Sequence, residues 1–550
     1  MRKCLFLLLL SLPAIGQQVE KGIKFNGSLS IGASYYHGNA AQARRPPFNW
    51  YLSGAPVLTV FGISLPFSLV VSDQDRRFSQ PFNQYGVSPR YKWITLHAGY
   101  RNLRFSDFTL NGANMLGGGF EINPGLLRLG VLYGRLNRAV EADSISDLGS
   151  LGYIRPTYKR TGYAGKIGIG KPHRYLDLLF FAAKDDTASI QRNHLVKPEQ
   201  NVAIGLKSQL GFFKNRLQFD LDGGISLLTK NLLASSALDS ADSPILNQAR
   251  RFIRLNNSSG FYTALQSRLS YSHRIGALRA EYRKIDPGYR SLGAYYFQSD
   301  VEQVTLSPSF QLGRIALALS YGLGRDNLDN KRISTSKRQV YSANVNILAS
   351  NSLNINLDYS NFGFNQTKGN TDVFNDTTAI QVINSNLGGV ISYKIPGQAS
   401  QQLTVSTYYQ STDDLNRFTE NFSEATTLLS SLSYTFNLPK KKWNSSAGLT
   451  YNNTRTAFHD ILLLSPSISA SCLLLKDKIR ASLTENFQLR RTDGEKDGHT
   501  SATSIVLTYR LKKHAILWSG HYLNNRYQSE TTGRAQFSEF RSNISYSIQF

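Results

Sequence analysis

Apolar and polar side chains alternate along this chain with a period of two, over long segments. After Arg216 the apolar positions are Leu217, Phe219, Leu221, Ile225 and Leu227, and between them stand Gln218, Asp220, Asp222, Gly224 and Ser226. The same pattern runs through Ile315, Leu317, Leu319, Tyr321 and Leu323, through Leu353, Ile355, Leu357 and Tyr359, and through Leu428, Leu432, Tyr434, Phe436 and Leu438. Successive side chains of a strand point to opposite faces, so each segment predicts a ribbon with one apolar and one wet side. Soluble strands average about 5 to 6 residues, whereas a tilted strand crossing a bilayer needs about 9 to 11. These segments run for about 10 to 14 residues, which fits a bilayer.

The links between segments are of two kinds. Short turn-like links occur at Phe61-Gly62, Asn123-Pro124-Gly125, Gly170-Lys171-Pro172-His173, Lys214-Asn215, Gly313-Arg314, Asn351-Ser352, Pro396-Gly397, Pro439-Lys440, Lys476-Asp477 and Lys512-Lys513. Longer polar stretches, at 73–89, 137–158, 230–259 and 365–379, lie between them. Tight turns at one end and long loops at the other predict an all-β chain closed into a large single-chain transmembrane antiparallel barrel. Counting segments gives about 26 strands, from 24–36 to 535–550, within the range of large bacterial barrels. Segments 102–110 and 114–123 are irregular, with parity slipping between Phe105 and Phe108. Without that hairpin the count is 24.

Composition narrows the class. With 41% hydrophobic and 11% aromatic residues, including 29 Tyr and 30 Phe, the chain is too apolar for disorder. Its one uninterrupted apolar run, Leu5 to Ile15, falls short of the roughly 20 residues of a membrane-spanning helix. That run follows Arg2 and Lys3 and precedes Ala14-Ile15-Gly16, so residues 1–16 read as a signal peptide cleaved before Gln17. Residues 17–550 then form the exported barrel, with long extracellular loops, in the cell outer membrane. Cys4 lies at the start of the apolar run, where no lipid-attachment cysteine sits, and Cys472 has no partner for a disulfide.

The last residues read Phe540, Ser542, Ile544, Tyr546, Ile548 and Phe550, with Arg541, Asn543, Ser545, Ser547 and Gln549 between them. This segment resembles the closing strand of bacterial outer-membrane β-barrel proteins, which ends in an aromatic residue. The resemblance implies that Ile544, Tyr546, Ile548 and Phe550 form the signal read by the barrel assembly machinery. The Gln17 start and the Tyr- and Asn-rich strands are similar to proteins of the Bacteroidota. About eight residues separate Gln17 from the first strand, so no plug domain is expected before the barrel.

A bare barrel of this size encloses a wide aqueous hole, and something must obstruct it. Two segments are candidates. Ser72 to Arg90 carries Arg76, Arg77, Phe82 and Tyr85 as a possible constriction loop; 230–259 carries Ile245, Leu246, Ala249, Phe252, Ile253 and Leu255 beside Arg250, Arg251 and Arg254, the pattern of a short amphipathic helix. Both also fit loops in water or lipopolysaccharide, and a separate plug protein fits equally. Parity points Arg101, Arg128, Arg268, Arg279, Arg283 and Arg480 inward. A lipid-facing Arg costs about 2 to 4 kcal/mol near the midplane, which favours that assignment. Such a basic lumen either draws anions or serves to pair with carboxylates such as Glu281, Asp220 or Asp222 in the wall.

The net charge of +25, from 62 basic and 37 acidic residues, suits contact with phosphorylated lipid headgroups and lipopolysaccharide. It is dispersed over alternating strands, and no recognition fold points to nucleic acid. The nine His show no metal-ligand spacing, and Gly117-Gly118-Gly119 matches no phosphate-binding fingerprint but suits a bend or bulge. The chain reads as a non-enzyme without cofactor. It is expected to be a porin-like channel or transport barrel passing polar or anionic solutes, or a polymer, through a loop-constricted basic lumen. The alternative is a structural, secretion or assembly component of a larger outer-membrane complex with other surface proteins.

Overall fold

The computed structural model describes residues 22–39, 45–61, 63–73, 84–141, 156–191, 196–235, 250–294, 298–370, 373–527 and 536–550. The expected signal peptide lies outside them. Twenty-nine strand segments make one antiparallel sheet of 26 barrel strands, because the first, second and fourth strands are each interrupted, at Gly27, at Ala55-Pro56 and at Ser88-Pro89. Proline has no N–H for the ladder, which accounts for the second and third breaks. The sheet closes on itself: Ser28–Gly38 pairs antiparallel with Phe537–Gln549, from Ser28 opposite Gln549 to Gly38 opposite Glu539. Closure leaves no unpaired edge. With strands about 4.8 Å apart and tilted, 26 of them enclose a backbone cylinder roughly 50 Å across.

Parity decides the two faces, as the sequence requires. Leu217–Thr229 sends Leu217, Phe219, Leu221, Ile225 and Leu227 to one side, and the ladder carries that side on to Phe261, Leu265, Leu269 and Tyr271 of Ser259–His273. Large apolar side chains remain exposed around this outer face, among them Tyr133, Ile167, Leu178, Ile204, Leu387 and Leu432. So extensive an apolar belt belongs against hydrocarbon rather than water. Along Leu353–Lys368 the outward residues Leu353, Ile355, Leu357 and Tyr359 give way to Asn361, Gly363 and Asn365, so the strand continues beyond its apolar portion.

The tight turns lie where the alternation places them. Lys214, Asn215, Lys476 and Asp477 adopt positive φ there, as do Gly125 and Gly313. Two expectations need correction. Gln84–Val87, which Arg90–Tyr91 continues, begins a wall strand inside the stretch read as loop 73–89, and Asn365–Lys368 still belongs to a strand. The opposite end also holds short links at 457–459 and 493–494, so the asymmetry between ends weakens late in the chain. Asn114–Ile122 pairs without a register shift on both sides, so the glycine run makes no bulge.

The closing residue seals the seam. The Phe550 ring stands 4.3 Å from that of Phe25, and its backbone N–H donates to the Gly27 carbonyl at 3.0 Å. Phe550→Ser removes an aromatic pair worth about 0.5–1.5 kcal/mol beyond burial, at the one ladder that closes last in sequence. A several-fold lower yield of heat-modifiable barrel in outer-membrane fractions is expected. An unchanged yield would exclude Phe550 from both the seam and the assembly signal.

Candidate functional site: a plug seated in the lumen

Two connections at the long-loop end turn inward. One is 103–113, between Ile94–Asn102 and Asn114–Ile122; the other is 286–294, in the connection between Gly276–Ile285 and Val301–Leu312. They meet in a separate two-stranded parallel sheet, Leu110 opposite Gly293 and Asn111 opposite Ala294. Phe108, Leu110, Ala113, Tyr289 and Leu292 are buried, the Phe108 and Tyr289 rings edge to face at 6.0 Å. The Tyr289 hydroxyl donates to the Phe108 carbonyl at 2.7 Å, the Ser291 hydroxyl to the Thr109 carbonyl at 2.6 Å, and burial pushes the Tyr289 phenol up.

The wall is adapted to receive this plug. Leu132, Leu136, Leu179, Phe181, Ala203 and Leu228 stand at inward parity, where water-facing residues would otherwise be expected, and are buried against Phe105, Leu110 and Leu292. Gly224 and Gly205 are inward too. A Cβ at Gly224 would lie 2.5 Å from the Tyr289 hydroxyl and 2.8 Å from the Phe108 Cβ; one at Gly205 would lie 2.8 Å from a Thr109 methyl. Only a missing side chain lets the loops come this close. Asn201 completes the dock, accepting from the Leu292 N–H at 3.1 Å.

On the turn side of the plug the inner wall carries charges of alternating sign. Lys166 donates to Glu121 at 2.7 Å; Arg128 grips both oxygens of Asp177, at 2.7 and 2.9 Å; Lys207 faces Asp222 at 3.6 Å; and Arg268 meets Glu281 at 2.9 Å. Plug and belt are joined at Asp222, which accepts from the Ser106 hydroxyl and from the Asp107 N–H at 3.1 Å. Beneath lies a pocket of about 350 Å³ lined by Arg104, Asp107, Lys207, Asp220, Asp222 and Arg268, balanced in charge rather than basic.

The expected lumen arginines therefore divide. Arg128 and Arg268 are spent on wall carboxylates. Arg101 donates to Ser68 at 3.1 Å, and a Cβ at Gly86 would lie 3.1 Å from its guanidinium carbon. Arg279, Arg283 and Arg480 face inward without an ion partner among the described residues. On the far wall the inward positions include hydroxyls and amides bonded across the ladder, as in Ser406 with Ser431 at 2.6 Å, Ser446 with Ser469 at 2.7 Å and Asn344 with Asn356 at 3.4 Å, beside charged residues such as Asp358, Arg480 and the Arg490–Asp497 pair.

The expected constriction differs. Arg76, Arg77 and Phe82 lie outside the described residues. Tyr85 belongs to a wall strand opposite Leu69, its ring edge-on to Tyr100 at 5.7 Å, because its backbone is needed in the ladder. In the second candidate segment, Ile245, Leu246 and Ala249 lie outside the described residues. Residues 250–258 form no helix, and Ile253 is buried with Ala182 and Val202, which share the outward face of their strands with Ile204. Its apolar side thus covers the outer rim rather than the lumen. The seat of the real plug left two signals in the sequence: apolar residues at inward parity, and the slip between Phe105 and Phe108.

No family model and no curated protein matches the chain. Among solved structures it is similar to the translocation pore of the P pilus usher PapC, at 10% identity and a TM-score of 0.38 over 96% of this chain and 100% of that one. It is also similar to OccAB2 of Acinetobacter baumannii, at 11% identity and 0.30 over 64% and 93%, and to OccK8 (OprE) of Pseudomonas aeruginosa, at 13% and 0.33 over 68% and 97%.

Proposed function

We propose that this barrel is an outer-membrane channel that passes polar solutes or a polymer along its hydroxyl- and amide-lined wall, beside a plug made of its own loops, with Arg279, Arg283 and Arg480 favouring anions. The plug carries this reading. Two loops with a buried core of their own and a wall cut back to receive them narrow the lumen while the opposite wall keeps a hydrated lining. A barrel that served only as an anchor would not need a polar inner wall of this extent. The test is planar-bilayer recording from the purified monomer. Discrete anion-preferring currents, smaller than those of an unobstructed cylinder of this size, are expected; absence of currents overturns the channel.

One observation favours the alternative, a component of a larger outer-membrane complex. Glu485 lies on the outer face, opposite Ile468 and Thr503, and accepts from the Thr503 hydroxyl at 2.6 Å. A carboxylate facing hydrocarbon is costly, and a protein neighbour in the membrane would relieve that cost. Stable co-purification of another outer-membrane protein, lost in Glu485→Leu, is the result this second reading expects.

A further inference from the structure

The seam where the last strand meets the first holds a second lumenal cavity, of about 500 Å³, distant in the wall from the plug. Its lining includes Ser34, Tyr36, Arg45, Asn49, Tyr51, Ser519, Arg541 and Asn543, with two guanidiniums and no carboxylate. The ladder assembles it in rows. Tyr36, Arg541 and His521 are register neighbours across three strands, and Ser34, Asn543 and Ser519 form the next row. Arg541 is oriented by its own strand: its Nε donates to the Asn543 carbonyl at 3.1 Å, while the Asn543 amide donates to Ser519 at 3.1 Å. Ser34 donates to Asn49 at 2.6 Å. No charged partner neutralises Arg541 or Arg45 among the described residues. Tyr51 completes the wall: its ring lies over Gly32, where a Cβ would come within 2.6–2.7 Å of three of its atoms. One ring face is thus backed by glycine and the ring remains exposed.

We infer that this cavity is a subsite for an acidic saccharide, a sugar unit bearing a carboxylate or phosphate. Each part of the chemistry matches one part of such a ligand. A guanidinium fork held by a neutral amide is free to take the anionic group, since charge-assisted bonds from Arg to carboxylate or phosphate are the strongest available there. The amides and hydroxyls of Asn49, Asn543 and Ser519 suit sugar hydroxyls, and the exposed tyrosine ring offers a platform for the apolar face of a pyranose. A simple inorganic anion would use the guanidiniums but not the platform. A neutral sugar would use the platform but leave two cations unanswered. This inference rests on the reading of the lumen as a solute path, yet binding is measurable without transport.

The test is calorimetric titration of the detergent-solubilised full-length barrel with tetragalacturonate, with cellotetraose as a neutral chain and with inorganic phosphate. Tetragalacturonate is expected to bind, cellotetraose at least tenfold more weakly, and phosphate more weakly still. Arg541→Gln is expected to weaken tetragalacturonate about tenfold, the loss of one charge-assisted contact, and Arg541→Lys to restore part of that loss. Tyr51→Ala weakens both saccharides and leaves phosphate unchanged, with heat-modifiable mobility confirming that every variant is folded. Equal binding of the two saccharides, phosphate binding as tight as tetragalacturonate, or an unaltered Arg541→Gln titration would each overturn the subsite. Binding as expected in a barrel that passes no current would leave the subsite standing and remove the channel; currents without binding would do the reverse.

Discussion

The double variant Phe108→Ser/Tyr289→Ser is expected to conduct on the order of two to three times more current per channel than the native barrel, by freeing the part of the lumen the loops now occupy. The two rings are 0% and 2% exposed and pack against each other at 81° between planes. Truncating a buried aromatic costs about 3–5 kcal/mol, and the Tyr289 change also removes the hydroxyl that ties one loop to the other. What remains to hold the loops is the separate packing of Phe105, Leu110 and Leu292 against the wall and hydrogen bonds each worth about 0.5–1.5 kcal/mol net, while the contact that locks one loop to the other beside Gly224 is lost. The barrel ladder contains neither residue, so the cylinder should still assemble, and the change falls on the plug alone. Gly224→Val reaches the same end from the wall, because its Cβ would press on the Tyr289 hydroxyl and on Phe108 from 2.5 and 2.8 Å. Cells carrying either variant should become sensitive to a large glycopeptide antibiotic that the outer membrane normally excludes. Folded variants of both kinds with native conductance would show that the loops do not limit passage.

The outer face was legible because lipid imposes one rule on every strand. A residue at outward parity in Leu353–Lys368 or Ala425–Leu438 is apolar at most positions through the hydrocarbon, so the period locates most of the strands and brings their count to 26 or 24. The lumen obeys no such single rule. Leu132 and Phe181 at inward parity have meaning only once 103–113 and 286–294 lie against them, and the two loops themselves meet across 181 and 182 positions, as Tyr289 to Phe108 and Ser291 to Thr109 do. Composition misled as well. Segments 72–90 and 230–259 look suited to a plug because they are long and mix Arg with aromatic residues, but the shorter loops that form it carry the same mix in Arg104, Phe105, Phe108, Tyr289 and Arg290. Parity puts Arg128 and Arg279 on the same face, but it cannot tell which has a carboxylate within reach. Asp177 is register neighbour to Gly168, itself opposite Arg128, so this pair spans two ladders and is invisible in linear spacing.

That division of the arginines predicts two opposite phenotypes for one substitution type. Arg128→Gln leaves the Asp177 carboxylate, 4% exposed in its side chain, buried without its bidentate partner. Removing one member of a buried pair costs about 3–5 kcal/mol, so the barrel should lose its fold at markedly lower denaturant while its ion preference stays nearly constant. Arg279→Gln/Arg283→Gln removes two inward cations that neutralise no carboxylate among the described residues, so stability should hardly move. The permeability ratio of chloride to potassium should instead fall by about two- to threefold at 0.1 M salt, where the Debye length is about 10 Å, and the difference should vanish near 1 M, where it is about 3 Å. Reversal potentials across a salt gradient and urea unfolding followed by gel mobility give the two readouts on the same preparations. If Arg128→Gln shifts the reversal potential as far as the double variant does, the paired belt contributes to selectivity and the separation drawn between structural and solute-facing arginines fails. If neither shifts it, the anion preference of the lumen is wrong, while a loss of stability confined to Arg128→Gln would still place that residue in the wall.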